Sequence, residues 1–101
     1  MKGYRLTEKA DAHLQEIWRH SRERWGKKQA DAYLADIDAA LTMAIATPSL
    51  LRPRPELGDG VVARRARSHV VYGFVADDTL VVIAVLHGRM DPKRHLGGDE
   101  P

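Results

Sequence analysis

The fold of this chain is decided by the stretch His69 to Leu86, HVVYGFVADDTLVVIAVL. Two runs rich in β-branched and aromatic residues flank ADDT, which has the composition of a hairpin turn, so the stretch reads as two antiparallel strands. From Leu80 to Leu86 seven apolar residues follow one another without a polar interruption. A strand of that kind has both faces covered, which predicts a central position beneath a layer of helix.

Working outward, VVARRA after Gly60 is a further short β-rich run and extends the antiparallel series. The segment PSLLRPRPELGDG before it holds three prolines and two glycines and reads as a loop, not as a domain boundary. Nearer the N-terminus, Ala10, Leu14, Ile17, Trp18, Ser21 and Trp25 recur at spacings of three and four. That is one apolar stripe on a helix, with Thr7 as its N-cap, Glu8 in its first turn and Gly26 as its stop. A second stripe starts at about Lys28 and runs through Ala30, Tyr33, Leu34, Ile37, Leu41, Ala44 and Ile45 until Thr47 and Pro48 end it. A connection of about two or three residues folds the pair into an antiparallel helical hairpin, with Trp18, Trp25 and Tyr33 near its seam.

With GYRL as a short extended start closing one sheet edge, the order is β-α-α-β-β-β. The expected fold class is therefore α+β: an N-terminal strand and an antiparallel helical hairpin packed on an antiparallel β-sheet. The expected organisation is a single domain over residues 1–98 with a flexible tail at 99–101.

Composition narrows the function classes. The chain has 101 residues, 44% hydrophobic and 30% charged, and no cysteine, which removes disulfide scaffolds, thiolate zinc sites and cysteine nucleophiles together. The N-terminus lacks the apolar core of a signal peptide and no run reaches membrane-spanning length, so a soluble, cytoplasmic protein without a membrane partner is expected. The formal charge is +2 and the pI about 9.2, a balance that by itself does not imply nucleic-acid binding. The basic residues gather in RPR at Arg52 to Arg54, in ARRARSH at Ala63 to His69, and in HGRMDPKRH at His87 to His95, which form a patch if the fold joins them.

The histidines are His13, His20, His69, His87 and His95. His13 and His20 fall among polar residues on what should be an exposed helical face. His87 and His95 match no zinc spacing, and neither a metal nor another cofactor is expected. Ser68 beside His69 is the one adjacent hydroxyl–imidazole pair, but neighbours along a strand point to opposite faces. General acid–base cleavage of RNA needs a group near neutral pKa and cations around a phosphate; His95, Arg89 and one of Arg64, Arg65 or Arg67 could supply them.

At the C-terminal end the apolar strand runs into Leu86-His87-x-Arg89-Met90-Asp91-x-x-Arg94-His95-Leu96. This segment, together with YRLTEKADAHLQEIWRHSRERWG at Tyr4 to Gly26, QADAYLADIDAAL at Gln29 to Leu41, PSLLRPRPEL at Pro48 to Leu57 and SHVVYGFV at Ser68 to Val75, resembles the ParE branch of the RelE/ParE superfamily of bacterial toxins over nearly the whole length. The resemblance implies the toxin of a type II toxin–antitoxin system that inhibits DNA gyrase by binding, leaves stalled DNA breaks and serves plasmid stabilisation. No residue is then catalytic, and nucleic acid is met only through gyrase. His87, Arg89, Met90, Asp91, Lys93 and Arg94 are the expected target-binding residues, with Asp91 alternatively orienting a neighbouring arginine.

The resemblance also implies an acidic, ParD-like antitoxin that wraps the toxin in a hetero-oligomer, for which Trp18, Trp25, Tyr33 and Phe74 are the candidate anchors. The alternative within the superfamily is a RelE-type, ribosome-dependent messenger-RNA endoribonuclease using His95, Arg89 and Arg65. The Met-Asp-Pro step at Met90 to Pro92 and the sparse lysines of the loop and second strand favour the ParE branch. Such toxins often carry an aromatic residue and then Tyr and Arg in the strand where this chain reads VVYGFV, so Gly73 bears on how closely the sheet packs there.

Overall fold

The computed structural model describes residues 1–96, so the expected boundary at residue 98 and the tail at 99–101 lie outside the described residues. In chain order the elements are β1 (Gly3–Leu6), α1 (Glu8–Trp25), α2 (Lys27–Ala46), β2 (Arg52–Pro53), β3 (Val62–Ala66), β4 (His69–Ala76), β5 (Thr79–His87) and α3 (Pro92–Leu96). The α+β class and the helical hairpin over a sheet agree with the sequence expectation. Two elements are additional: α3, and the two-residue β2, which lies between 3-10 turns at Pro48–Leu50 and Pro55–Leu57 in the segment read as loop.

The sheet is mixed, in the order β1-β5-β4-β3-β2. Strands β2 to β5 pair antiparallel as expected, but β1 joins the edge in parallel with β5, from Gly3↔Thr79 to Leu6↔Val82. Alternation patterns report which face a residue occupies and say nothing of strand direction, so β1 carried no signal for this. The start of β1 is held beside the β4–β5 turn by the Lys2 N–H, which donates to the Asp78 carbonyl at 2.7 Å. Both residues of that turn, Asp77 and Asp78, have φ above 50°, the geometry of the tight hairpin loop.

Thr7 caps α1 by accepting the Ala10 N–H at 3.2 Å. Gly26 alone separates the helices, in place of the two or three residues expected, and its φ of 92° is costly for any side chain. The helices bury Ala10, Tyr33, Ile37, Leu41 and Ala44 against Ala66, Val71, Leu80, Val82 and Val85 of the sheet. Trp18 and Asp31 tie the two helices through an indole N–H donated at 2.9 Å, and Tyr4 ties β1 to α2 by donating to Asp38 at 2.5 Å. Burial and the Asp38 carboxylate push the Tyr4 phenol up to about 12.

A second cluster lies on the opposite face: Ala63, Tyr72, Ala84 and Leu86, covered by Leu57 and by Leu96 of α3. The continuous apolar run of β5 is thereby explained. Its residues face two cores, and a bulge opposite Tyr72 and Gly73 gives β5 one extra residue, Ile83. Gly73 is required at this point, because a Cβ there would sit 2.3 Å from the Val81 carbonyl oxygen.

Candidate functional site

Beyond Leu6 no strand among the described residues pairs with this edge of β5, and α1 covers it. The Val85 N–H donates to Nδ1 of His13 at 3.1 Å, and the His95 carbonyl accepts from the Lys9 ammonium. His13 is therefore a structural residue between α1 and the sheet, not an exposed one as its polar neighbours suggested. Burial first, then the positive charge of Lys9 and the neighbouring His95, hold its pKa below the usual imidazole value.

From His87 the chain makes a tight turn fixed at four points. The Gly88 N–H donates to the Ser68 carbonyl at 2.8 Å and the Met90 N–H to the His87 carbonyl at 2.9 Å. The Arg89 N–H donates to Nδ1 of His87 at 3.1 Å. Asp91 then accepts the Lys93 N–H at 3.1 Å through its carboxylate, so it caps α3, whereas the sequence offered orienting an arginine as its alternative role. Leu96 seats the far end of α3 in the second cluster. The outcome is a rigid projection on which Arg89, Met90, Asp91, Lys93 and Arg94 are exposed, with His87 half-buried at its root.

Beside that root lies a cavity of about 470 Å³ between the helices and the sheet end, lined among others by His20, Trp25, Tyr33, Ser68, His69 and His87. The Tyr33 hydroxyl meets Nδ1 of His69 at 2.6 Å and accepts the Ser68 N–H at 3.1 Å. The rings of Tyr33 and His87 meet His69 edge-on, with centroids at 5.5 and 5.3 Å. Burial, followed by the charges of His87 and His20, lowers the His69 pKa to about 4, so the ring is neutral. Ser68 and His69 face one cavity because Ser68 belongs to the turn before β4 and not to the strand, which corrects the strand-based expectation.

The candidate anchors are dispersed. Trp25 is 57% exposed, contrary to the expected place at the helix seam, because it is the last residue of α1. Trp18 is half-buried at the seam, Tyr33 belongs to the core as well as to the histidine cavity, and Phe74 is half-buried on β4. Of the alternative trio, Arg65 lines a groove on the second face with its guanidinium beside Gly88, next to Arg89 of the projection, while the His95 carbonyl is held by Lys9 at the start of α1.

That groove, of about 480 Å³, was not legible in the sequence except as separate basic clusters. Arg52, Arg54 and Arg65 line it with Tyr72 on its inner wall and Met90 at the projection's end, whereas the side chain of Arg64 crosses to the helix face and donates to the Ala40 carbonyl at 3.3 Å. Glu56 pairs with Arg54 at 2.7 Å, which raises the arginine's pKa and lowers that of the carboxyl. Among the described residues no three His, Asp or Glu side chains form a group able to hold a metal, and no helix is long and apolar enough to cross a membrane.

The sequence family described as ParE toxin of type II toxin-antitoxin system, parDE, matches residues 4–92. Among curated proteins, Toxin ParE1 of Mycobacterium tuberculosis is 39% identical over 94 residues, covering 92% of this chain and 96% of that protein. Toxin ParE1 of Caulobacter vibrioides is 36% identical over 97 residues, covering 96% of this chain and 100% of that protein. Toxin ParE of Escherichia coli is 32% identical over 92 residues, covering 90% and 89% respectively. Among solved structures, a chain of the chromosomal ParDE TA system from P. aeruginosa superposes with a TM-score of 0.72 over 86% of this chain and 95% of that one, at 19% identity. This last likeness concerns the fold.

Proposed function

The chain belongs to the ParE toxins of type II toxin–antitoxin systems, and from that premise we propose that it acts in the cytoplasm by capturing DNA gyrase, blocking replication until an acidic ParD-like antitoxin neutralises it. The observation that carries the target reading is the braced projection after β5. A mobile C-terminus would lose side-chain and backbone freedom on binding, whereas a segment fixed by Ser68, His87 and Asp91 offers Arg89, Met90, Lys93 and Arg94 already in place. His87 and Asp91 then serve as the braces of the target-binding surface.

The antitoxin reading rests on Trp18, Trp25, Tyr33 and Phe74. Trp25, the most exposed of them, is the anchor best placed to bury new apolar area on binding. The ribonuclease alternative has less support, because His95 and Arg65 stand at different places on the molecule.

The test is to incubate the full chain with gyrase and supercoiled DNA, and in parallel with translating ribosomes. Trapped DNA breaks with intact message support the proposal. Cut message with unaffected gyrase overturns it. Replacing Arg89 and Met90 together by Ala should weaken gyrase trapping about tenfold or more without lowering Tm, as for the central residues of an interface.

A further inference from the structure

We propose that the arginine groove on the sheet face away from the helical hairpin binds the phosphodiester backbone of single-stranded nucleic acid and holds it without cleaving it. The groove gathers residues from the loop after α2, from β2, β3 and β4, and from the turn after β5. Its far-face lining carries three arginines, Arg52, Arg54 and Arg65, and no carboxylate among the described residues; Arg64 turns to the helix face, where its Nε donates to the Ala40 carbonyl at 3.3 Å. Glu56, just outside, is paired with Arg54. Charge of one sign concentrated in a concave wall raises the local potential well above that of the same charges spread over a convex surface.

The kind of cation matters. All three lining cations are arginines, whose planar fork grips a phosphate through two parallel hydrogen bonds. Between them lie the apolar surfaces of Leu50, Val70 and Met90, of which Leu50 and Met90 are 36% and 37% exposed. Cations alternating with apolar faces suit a strand that offers a phosphate and then an unpaired base. A volume of about 480 Å³ takes single nucleotides and is too small for the width of a duplex.

The same lining excludes cleavage. It holds no histidine, carboxylate or lysine among the described residues, and its one phenol, Tyr72, is buried. Phosphate can be held and its charge offset there, but no group is available to take up and return a proton near neutral pH.

The proposal does not rest on the gyrase reading, since the assay contains no gyrase. Fluorescence anisotropy of the full chain with labelled oligo-dT and oligo-U of twelve nucleotides is followed from low to moderate salt. Binding should weaken with a log–log slope of about −2, as for three phosphate contacts on a single strand. The pair Arg52→Ala and Arg65→Ala should lose about tenfold or more and flatten the slope by about 1.4, two contacts' worth. Arg5→Ala with Arg19→Ala removes equal charge elsewhere and should retain binding, and Arg52→Lys with Arg65→Lys should fall between. Circular dichroism melts confirm that each variant folds. Equal losses in the two alanine pairs, no binding at low salt, displacement by polyglutamate more readily than by oligo-dT, or cutting of the oligo-U strand would each overturn the proposal.

Discussion

Replacing Gly73 by Ala tests the account of the sheet most directly. The added Cβ would lie 2.3 Å from the Val81 oxygen, 3.1 Å from the Val81 carbonyl carbon and 3.3 Å from the Val82 Cα, all backbone atoms of the neighbouring strand. None of these can rotate out of the way, so β4 and β5 must separate by about 1 Å at the bulge, which weakens the flanking ladder hydrogen bonds and loosens both clusters. Overpacking of a filled core costs about 1–3 kcal/mol, and each disturbed hydrogen bond about 1 more. A total of about 3 kcal/mol lowers Tm by roughly 12–24 °C for a domain of this size. Gly3→Ala is the matched control, because its Cβ would meet nothing within 4 Å and its φ is not positive. Thermal melts by circular dichroism, read side by side, decide the matter. A Gly73→Ala variant melting within about 2 °C of the parent, less than 1 kcal/mol by the same scale, would refute both the close approach and the bulge built on it.

Three further outcomes follow from side-chain roles. Replacing His13 by Ala strips the Val85 N–H of its acceptor at the edge of β5 that α1 covers and should cost about 1–2 kcal/mol in urea denaturation, with His13→Gln recovering part of it. Lowering the pH should destabilise the fold from about 6.5 downward, levelling off near pH 4, because His69 is neutral in the fold and is held to about 4 while the unfolded chain protonates it near 6.5. The full shift corresponds to roughly 3 kcal/mol, and with the ring half open to solvent about 1–2 is expected; a pH series of melts in which His69→Gln shows the same slope as the parent would count against this role. Trp25→Ala should weaken antitoxin binding by about tenfold or more in calorimetry with little change in Tm, whereas an unchanged affinity would remove Trp25 from that surface.

Much of the architecture was legible from local chemistry. Thr7 and Gly26 bound α1, the three-and-four spacing marked the buried face of each helix, and Asp77-Asp78 marked the hairpin, because capping, periodicity and turn conformation depend on residues close in sequence. The motif from Leu86 to Leu96 was the most specific part of a resemblance to the family that ran over nearly the whole chain. What could not be read were direction, register and the meeting of distant segments. β1 is too short for its pattern to reveal that it runs parallel to β5. The loop arginines Arg52 and Arg54 gave no sign that they would meet Arg65.

The bulge is the clearest case of a feature that tertiary packing decided. With Ala76 opposite Thr79, an unbroken ladder would set His69 against Leu86; the extra residue Ile83 sets it against His87 instead. Leu80 and Val82 face the helices, and strict alternation would send Ala84 and Leu86 the same way, yet Ala84 and Leu86 lie in the far cluster and Val85 faces the helices. One added residue exchanges the faces of everything after it, because side chains alternate with a period of two. An apolar run fits either face equally well, so the sequence by itself determined a buried strand ending in cations. Only the fit of Gly73 against the Val81 backbone decided that His87 would turn toward His69 and Tyr33.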